Sequence, residues 1–214
     1  MKFSILKSSL FKNTAIYTIT DGISKGLAFL TLPLISHYLI PEELGIAANF
    51  DVLQNILMLL AGQAVINSMP YFFYGKTKEE KSNIVSSLFF IVIVSNILFS
   101  FLILLFTAIL EDYLHIGILL QILTIVSVVA HLISCLNLVL YRLEDKPYIF
   151  AKLQITQTVL YLTALVIFVV VLRMSALGKI LSVIVSFSLM AIVHIVLLIK
   201  RDYLKLSINI RQIK

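Results

Sequence analysis

Apolar residues run along this chain in long unbroken stretches, and charged or turn-forming residues gather in short clusters between them. The runs fall at about 14–39, 44–71, 84–110, 116–141, 149–172 and 176–199. Each exceeds the ~20 residues that a helix needs to cross a hydrocarbon core. In lipid only helices and closed barrels satisfy the backbone, and the runs lack the two-residue alternation of a barrel. The pattern predicts an all-α polytopic membrane protein: a bundle of six transmembrane helices over residues 1–199, followed by a basic tail, 200–214.

Composition agrees with the pattern. The chain is 60% hydrophobic and 13% charged over 214 residues, whereas a soluble domain has about 45–50% apolar and 25% charged residues. A globule of this size has too little interior to hide that excess. The single cysteine, Cys135, lies inside an apolar run, which excludes a disulfide framework and a cysteine metal site. Lys2, Lys7 and Lys12 precede a first run too long for a signal peptide, with no small-residue cleavage site after it. That run is read as a retained first span.

The connections, at 41–43, 76–83, 111–113, 142–147 and 173–175, are too short to house a soluble domain. On alternate sides of the bundle, one side collects Lys2, Lys7, Lys12, Lys76, Lys78, Lys81, Arg142, Lys146, Lys152, Lys200, Arg201, Lys205, Arg211 and Lys214. The other has Arg173 and Lys179. By the positive-inside rule both termini are cytoplasmic. The net charge of +6 is thus a topology signal that also meets anionic lipid heads, and does not point to nucleic acid. The tail mixes basic residues with Leu204, Leu206, Ile208, Ile210 and Ile213, a composition suited to resting on the inner surface. Pro41, Glu42 and Glu43 suit the first turn of the second span.

Polar residues inside the runs mark the candidate chemistry. Thr14, Thr18, Asp21, Lys25, Leu32 and Ser36 recur at three- or four-residue spacing and form a stripe along span one. Charges inside a membrane almost always face the bundle interior or a wet cavity, so span one is expected to line a cavity. A rise of 1.5 Å per residue puts Lys25 roughly 16 Å into its span, near Asp51 of span two, while Asp21 precedes Lys25 by one turn. The expected arrangement is a Lys25 cation held between Asp21 and Asp51, able to take an anionic ligand. The competing reading is a permanent structural ion pair. Asn55, with Gly62, shares a face with Asp51, either lining the cavity or packing helices together. His131, among Thr124, Ser127 and Ser134, is a proton-coupling candidate or a packing residue. Gln154, Gln157 and Thr158 form an inner mouth or pack, and Arg173 and Lys179 contact a departing anion or cap helix ends. Spans three and six, apolar but for Ser and Asn, are the predicted lipid-facing elements. No phosphate loop, His-Glu-x-x-His pair, serine elbow or acidic metal cluster occurs, so neither an enzyme nor a cofactor is expected.

Several of these segments carry a resemblance. Residues 8–17 (SSLFKNTAIY), 22–26 (GISKG) and 32–39 (LPLISHYL) resemble the first span of the polysaccharide repeat-unit flippases. These form the O-antigen and capsule branch of the multidrug, oligosaccharidyl-lipid and polysaccharide exporter superfamily. Residues 41–46 (PEELGI) are similar to the start of that family's second span, which usually carries Tyr where Leu44 stands. Looser matches are Lys78-Glu79-Glu80-Lys81, Tyr141-Arg142 and Ala176-Leu177-Gly178.

The resemblance implies a flippase that moves an undecaprenyl-pyrophosphate-linked oligosaccharide across the bacterial cytoplasmic membrane for surface polysaccharide synthesis, by alternating access between two six-helix lobes. Lys25 and Asp21 would line its cationic cavity. Family members have about twice as many spans, so the chain looks like one lobe, to be completed by a second lobe or a second copy. Alternative expectations are half of a drug or ion antiporter of the same superfamily, or a membrane assembly partner that transports nothing.

Overall fold

The computed structural model describes residues 9–114 and 116–204, the side chains of 9, 10 and 28 excepted; the predicted tail from 205 onward, with Lys2 and Lys7, lies outside them. All regular structure among these residues is helical. In chain order the helices are α1 (Ser9–Tyr38), α2 (Pro41–Phe73), α3 (Lys78–Leu105), α4 (Thr107–Leu114), α5 (Ile118–Leu143), α6 (Pro147–Val171) and α7 (Ser175–Lys200). Five of them, α2, α3, α5, α6 and α7, are long and apolar enough to cross a membrane. At 30 residues α1 is long enough, but it is not one of the five, because Asp21, Lys25 and its hydroxyl residues interrupt its apolar surface.

Local chemistry sets several helix boundaries. Helix α2 begins as expected, with Pro41 in the first turn and the Glu43 carboxylate accepting from the Ile40 N–H at 3.2 Å. Helix α3 begins six residues before the predicted span. There the Thr77 hydroxyl accepts from Glu80 N–H at 3.3 Å and the Glu80 carboxylate accepts from Thr77 N–H at 2.8 Å, so the charged segment forms a first turn and not a loop. The third run also breaks at Phe106, and the acidic connection Glu111-Asp112-Tyr113 belongs to the short helix α4.

The centre of the bundle is α7, and this corrects the expectation that the sixth span faces lipid. Helix α7 packs along α5 and α6 and also touches α2. Gly178, Ser182, Ser186, Met190, Ala191 and His194 are buried along it. Small residues let the backbones approach, and each buried hydroxyl is satisfied within its own helix: Ser182 donates to Gly178 O at 2.6 Å and Ser186 to Val183 O at 3.0 Å. Hydropathy counts such residues as mildly polar, which hides a packing face. Helix α3 is peripheral, on α2 and α5. Helix α2 widens into a π-type turn at Leu59–Gln63, where Gly62 lies so close to α3 and α5 that an added Cβ would come within 2.9 Å of Val92. That turn rotates the helix, so Gly62 does not share the face of Asp51 and Asn55.

At the end bearing most of the basic residues, Glu144 ties the α5–α6 turn to the end of α7. Its carboxylate accepts from Arg201, from the Tyr203 hydroxyl and from Lys146, the last at 3.0 Å. Arg201 lies over the Tyr141 ring, 4.4 Å from its centroid. Ser82 and Ser86 of α3 donate to the carbonyls of Asp202 and Tyr203 at 2.6 and 2.9 Å. Burial alone would raise the Glu144 carboxyl, but the hydrogen bonds from Tyr203 and Lys146 and the charges of Arg201 and Lys146 hold it below the ordinary value. Burial and the adjoining carboxylate push the Tyr203 hydroxyl up to about 12.

Two predictions follow from this packing. Substituting Gly178→Ala places a Cβ 2.9 Å from the Phe168 carbonyl oxygen, whereas Gly22 faces open space. Thermal unfolding in detergent should show a loss of about 1–3 kcal/mol for Gly178→Ala and none for Gly22→Ala. The Glu144 contribution is fully present above the ordinary carboxyl value of 4.5 and is lost as pH falls through its depressed value. The stability difference between the native chain and Glu144→Gln should therefore shrink as melting is followed from about pH 7 down to about pH 3.

Candidate functional site

Helix α1 is held to the bundle almost entirely through α6 and touches α2 only sparsely. The α1–α6 seam can be followed residue by residue. Tyr17 meets Phe150 edge-on, with centroids 5.1 Å apart, and the Gln154 amide donates to Asp21 at 2.8 Å. About two to five turns further along, Tyr161 and Thr31 share a side-chain hydrogen bond, and Ile35 and Leu39 pack with Leu165 and Val169. Residue numbers rise together on both helices, so α1 and α6 run parallel. Midway along the seam, Ser24 Oγ and both polar atoms of the Gln157 amide are buried with no hydrogen-bond partner.

At about 100° per residue, this seam fixes where the other sides of α1 point. Thr20, Thr31, Ile35 and Leu39 are buried towards the bundle. Thr14, Thr18, Lys25, Leu32 and Ser36 are exposed, roughly a quarter turn away by that spacing. Leu39 sits at the edge of this exposed side, in a cluster that Leu44 of α2 also joins. The polar stripe therefore flanks an open side between α1 and α2. Leu44, Asp51 and Asn55 lie on the corresponding side of α2, with Asn55 exposed. Along this polar cleft Lys25 and Asn55 are exposed and Asp51 is half-exposed, whereas Asp21 lies on the α1–α6 seam.

The expected ion triad does not form. Asp21 pairs with Arg142 at 3.4 Å in addition to its bond from Gln154. Arg142 lies over the Phe150 and Tyr17 rings, at 4.7 and 5.7 Å from their centroids. Asp51 pairs with Lys179 through Oδ2, and the same ammonium donates to the Ala47 carbonyl at 3.4 Å. Lys25 has no ion pair among the described residues. The cause is the packing: α1 rests on α6 and α2 on α5 and α7, so Asp51 is met by a cation from a helix behind it, and Asp21 by Arg142 at the end of α5 together with the Gln154 amide of α6.

Two residues read as topology signals or outward-facing contacts thus pair with the two acids. Lys179, whose side chain is 7% exposed, is a buried counter-ion, while the Asp51 side chain remains 47% exposed towards the cleft. Arg142 reaches along the bundle to Asp21. The available signal for Lys179 was its position one turn inside an apolar run, against the charge trend. Nothing in local sequence announces Arg142, because its partner is 121 residues away. Arg173 lies exposed in the turn before α7.

The remaining candidates fall elsewhere. His131 stacks on Phe187 with centroids 4.1 Å apart, on the α5–α7 seam and away from the cleft. The Asn137 amide lies 2.9 Å from the His194 ring nitrogen on the same seam. Cys135 is half-buried and accepts from Gln63 at 3.8 Å. Thr158 bonds its own helix at Gln154 O, 3.0 Å away. Chemically, the cleft offers one unpaired ammonium, one half-exposed carboxylate whose second oxygen is outside the ion pair, and an amide.

Comparison of the chain with protein-family models, with curated proteins and with solved structures gives no match.

The asymmetric burial of the Asp51–Lys179 pair yields a prediction. Asp51→Asn strands an ammonium inside the bundle and should cost on the order of 3 kcal/mol, whereas Lys179→Met leaves a carboxylate that the cleft can hydrate. Melting measurements should rank Asp51→Asn clearly below Lys179→Met.

Proposed function

We propose that the chain is one lobe of a flippase for an undecaprenyl-pyrophosphate-linked oligosaccharide. It resides in the bacterial cytoplasmic membrane with both termini cytoplasmic, and it works with a second lobe. The observation that carries this reading is the unpaired Lys25. Its ammonium stands on the open side of α1 while both nearby acids pair with other cations, which leaves the cleft a free positive charge. An ionised group inside a membrane defaults to function, and a cation there favours a multiply charged phosphate. Asn55 adds a neutral hydrogen-bonding group to the same cleft.

The parallel pairing of α1 with α6 supports six crossings. Successive spans alternate in direction, so a first and a fifth span run parallel only if α1 also traverses the membrane. Its register with α6 extends from Tyr17–Phe150 to Leu39–Val169, the depth of a span. The sequence resemblance to repeat-unit flippases names the cargo class.

Expression of the chain in a flippase-deficient strain, with surface polysaccharide as readout, tests the proposal. Polysaccharide should return with the native chain and with Lys25→Arg, and fall at least tenfold with Lys25→Ala at equal membrane content. An inserted native chain that restores nothing would refute autonomous transport, and a fully active Lys25→Ala would refute the role of the cation.

A further inference from the structure

The basic residues at the end of the bundle that carries most of them divide into two groups. Lys76, Lys78, Arg142, Lys146 and Arg201 each meet a carboxylate, on Glu80, Asp202, Asp21 or Glu144. Lys12 of α1 and Lys152 of α6 are exposed and form no ion pair among the described residues, and neither does Asp145 in the turn before α6. Lys81 and Lys200 form none either, but they belong to other helices, Lys81 over the Phe73 ring and Lys200 at the end of α7.

Lys12 and Lys152 converge on one ring. The Lys12 ammonium lies over Tyr148, 5.8 Å from the ring centroid, and Tyr148 stands one turn before Lys152 on the same side of α6. Helical side chains lean towards the N-terminus, so Lys152 leans back towards Tyr148. The Tyr148 ring is exposed, as suits a phenol at the level of lipid headgroups. Deeper along both helices the same sides become apolar. Ile19 and Ile23 follow Lys12 at helical spacing and Val159 follows Lys152, all of them exposed. Two ammoniums, a phenol and then a strip of aliphatic side chains complement, level by level, the phosphate, glycerol and acyl chains of an anionic lipid. A free anion would use the lysines and leave the strip uncovered.

We propose that an anionic glycerophospholipid occupies this place, with its phosphate between Lys12 and Lys152 beside the Tyr148 hydroxyl and its acyl chains along Ile19, Ile23 and Val159. The lipid joins α1 to α6 from outside the bundle. It reinforces a seam that needs support, because Ser24 Oγ and the Gln157 amide are buried there without partners and α1 packs on little besides α6. By helical spacing Lys12 and Lys25 point about 140° apart, so the lipid leaves the cleft and its cation untouched. The site therefore requires a membrane but not the flippase reading.

Native mass spectrometry of the full chain, released from detergent micelles doped with phosphatidylglycerol or with phosphatidylcholine, counts the lipids retained. One phosphatidylglycerol should stay bound, at least fivefold more abundant than phosphatidylcholine. The pair Lys12→Ala and Lys152→Ala should reduce that adduct at least fivefold. The pair Lys81→Ala and Lys200→Ala, which removes the same charge, should preserve it, as should Lys12→Arg with Lys152→Arg. Phosphatidylglycerol should also raise the melting temperature of the native chain and not that of the first alanine pair, while inorganic phosphate should raise neither. Equal losses from the two alanine pairs, or no preference over phosphatidylcholine, would overturn the site by reducing it to general attraction between a basic surface and acidic lipid. A full rise with inorganic phosphate would overturn the lipid in favour of a free anion. A retained adduct with no rise in melting would overturn the joining of α1 to α6. Should the first alanine pair fail to insert, Lys152→Gln alone gives the same comparison through a smaller loss.

Discussion

An ionised side chain inside an apolar bundle must be neutralised by a neighbour, and that requirement organises this structure. Asp21 and Asp51 stand on the two helices that border the cleft, and neither is left to the cleft itself. Arg142 comes to Asp21 from the end of α5, and Lys179 comes to Asp51 from α7, the most central helix. Each pair joins elements far apart in sequence. Lys179 belongs to a helix that packs behind Asp51, whereas Arg142 reaches Asp21 from the end of α5 although α1 packs on α6. What remains unbalanced is Lys25, and its isolation follows from the neutralisation of the other two.

Packing makes that arrangement affordable. In the α5–α7 core Ser127, Ser134, Ser182 and Ser186 each donate to a carbonyl within their own helix, and the unmatched polar atoms there are His131 Nδ1 and Asn137 Oδ1. Small side chains then let the helices close together. The α1–α6 seam is built differently. Its partners lie across the interface, at Asp21–Gln154 and Thr31–Tyr161, and between them Ser24 and Gln157 are unmatched. A seam joined by a few long-range bonds with a gap between them holds α1 less firmly than the core holds α7.

The division between what sequence conveys and what it conceals follows from these contacts. Helix positions were legible because hydropathy over a long window reports burial in lipid, and the start of α2 was marked by Pro41, whereas Pro147, placed in a connection, opens α6. The start of α3 was obscured by charge, since a window that averages hydropathy treats the Thr77–Glu80 cap as loop. The buried face of α7 was missed because serine and glycine weaken an apolar signal at the very positions where helices approach. The spacing of polar positions on α1 and α2 conveys which of them share a side of the helix, as the exposed Thr14, Thr18, Lys25 and Ser36 do. The ion-pair partners were not legible. Pairing Lys25 with both nearby acids used proximity along two helices, whereas the fold separates α1 from α2 and supplies cations 121 and 128 residues distant from Asp21 and Asp51 (142 − 21 and 179 − 51).

The parallel register of α1 on α6 has a consequence for how the chain is made. The partners of Asp21, namely Arg142 and Gln154, are synthesised 121 and 133 residues after it. Through that interval α1 has no lateral support for its acid, yet it carries Lys25 one turn away, in the acid-before-base order that favours a pair on a single helix. During synthesis the two charges are each other's nearest counter-ion. Arg142 and then Gln154 become available to Asp21 before the central helix α7 has been made, so α1 can find its place on α6 ahead of the core.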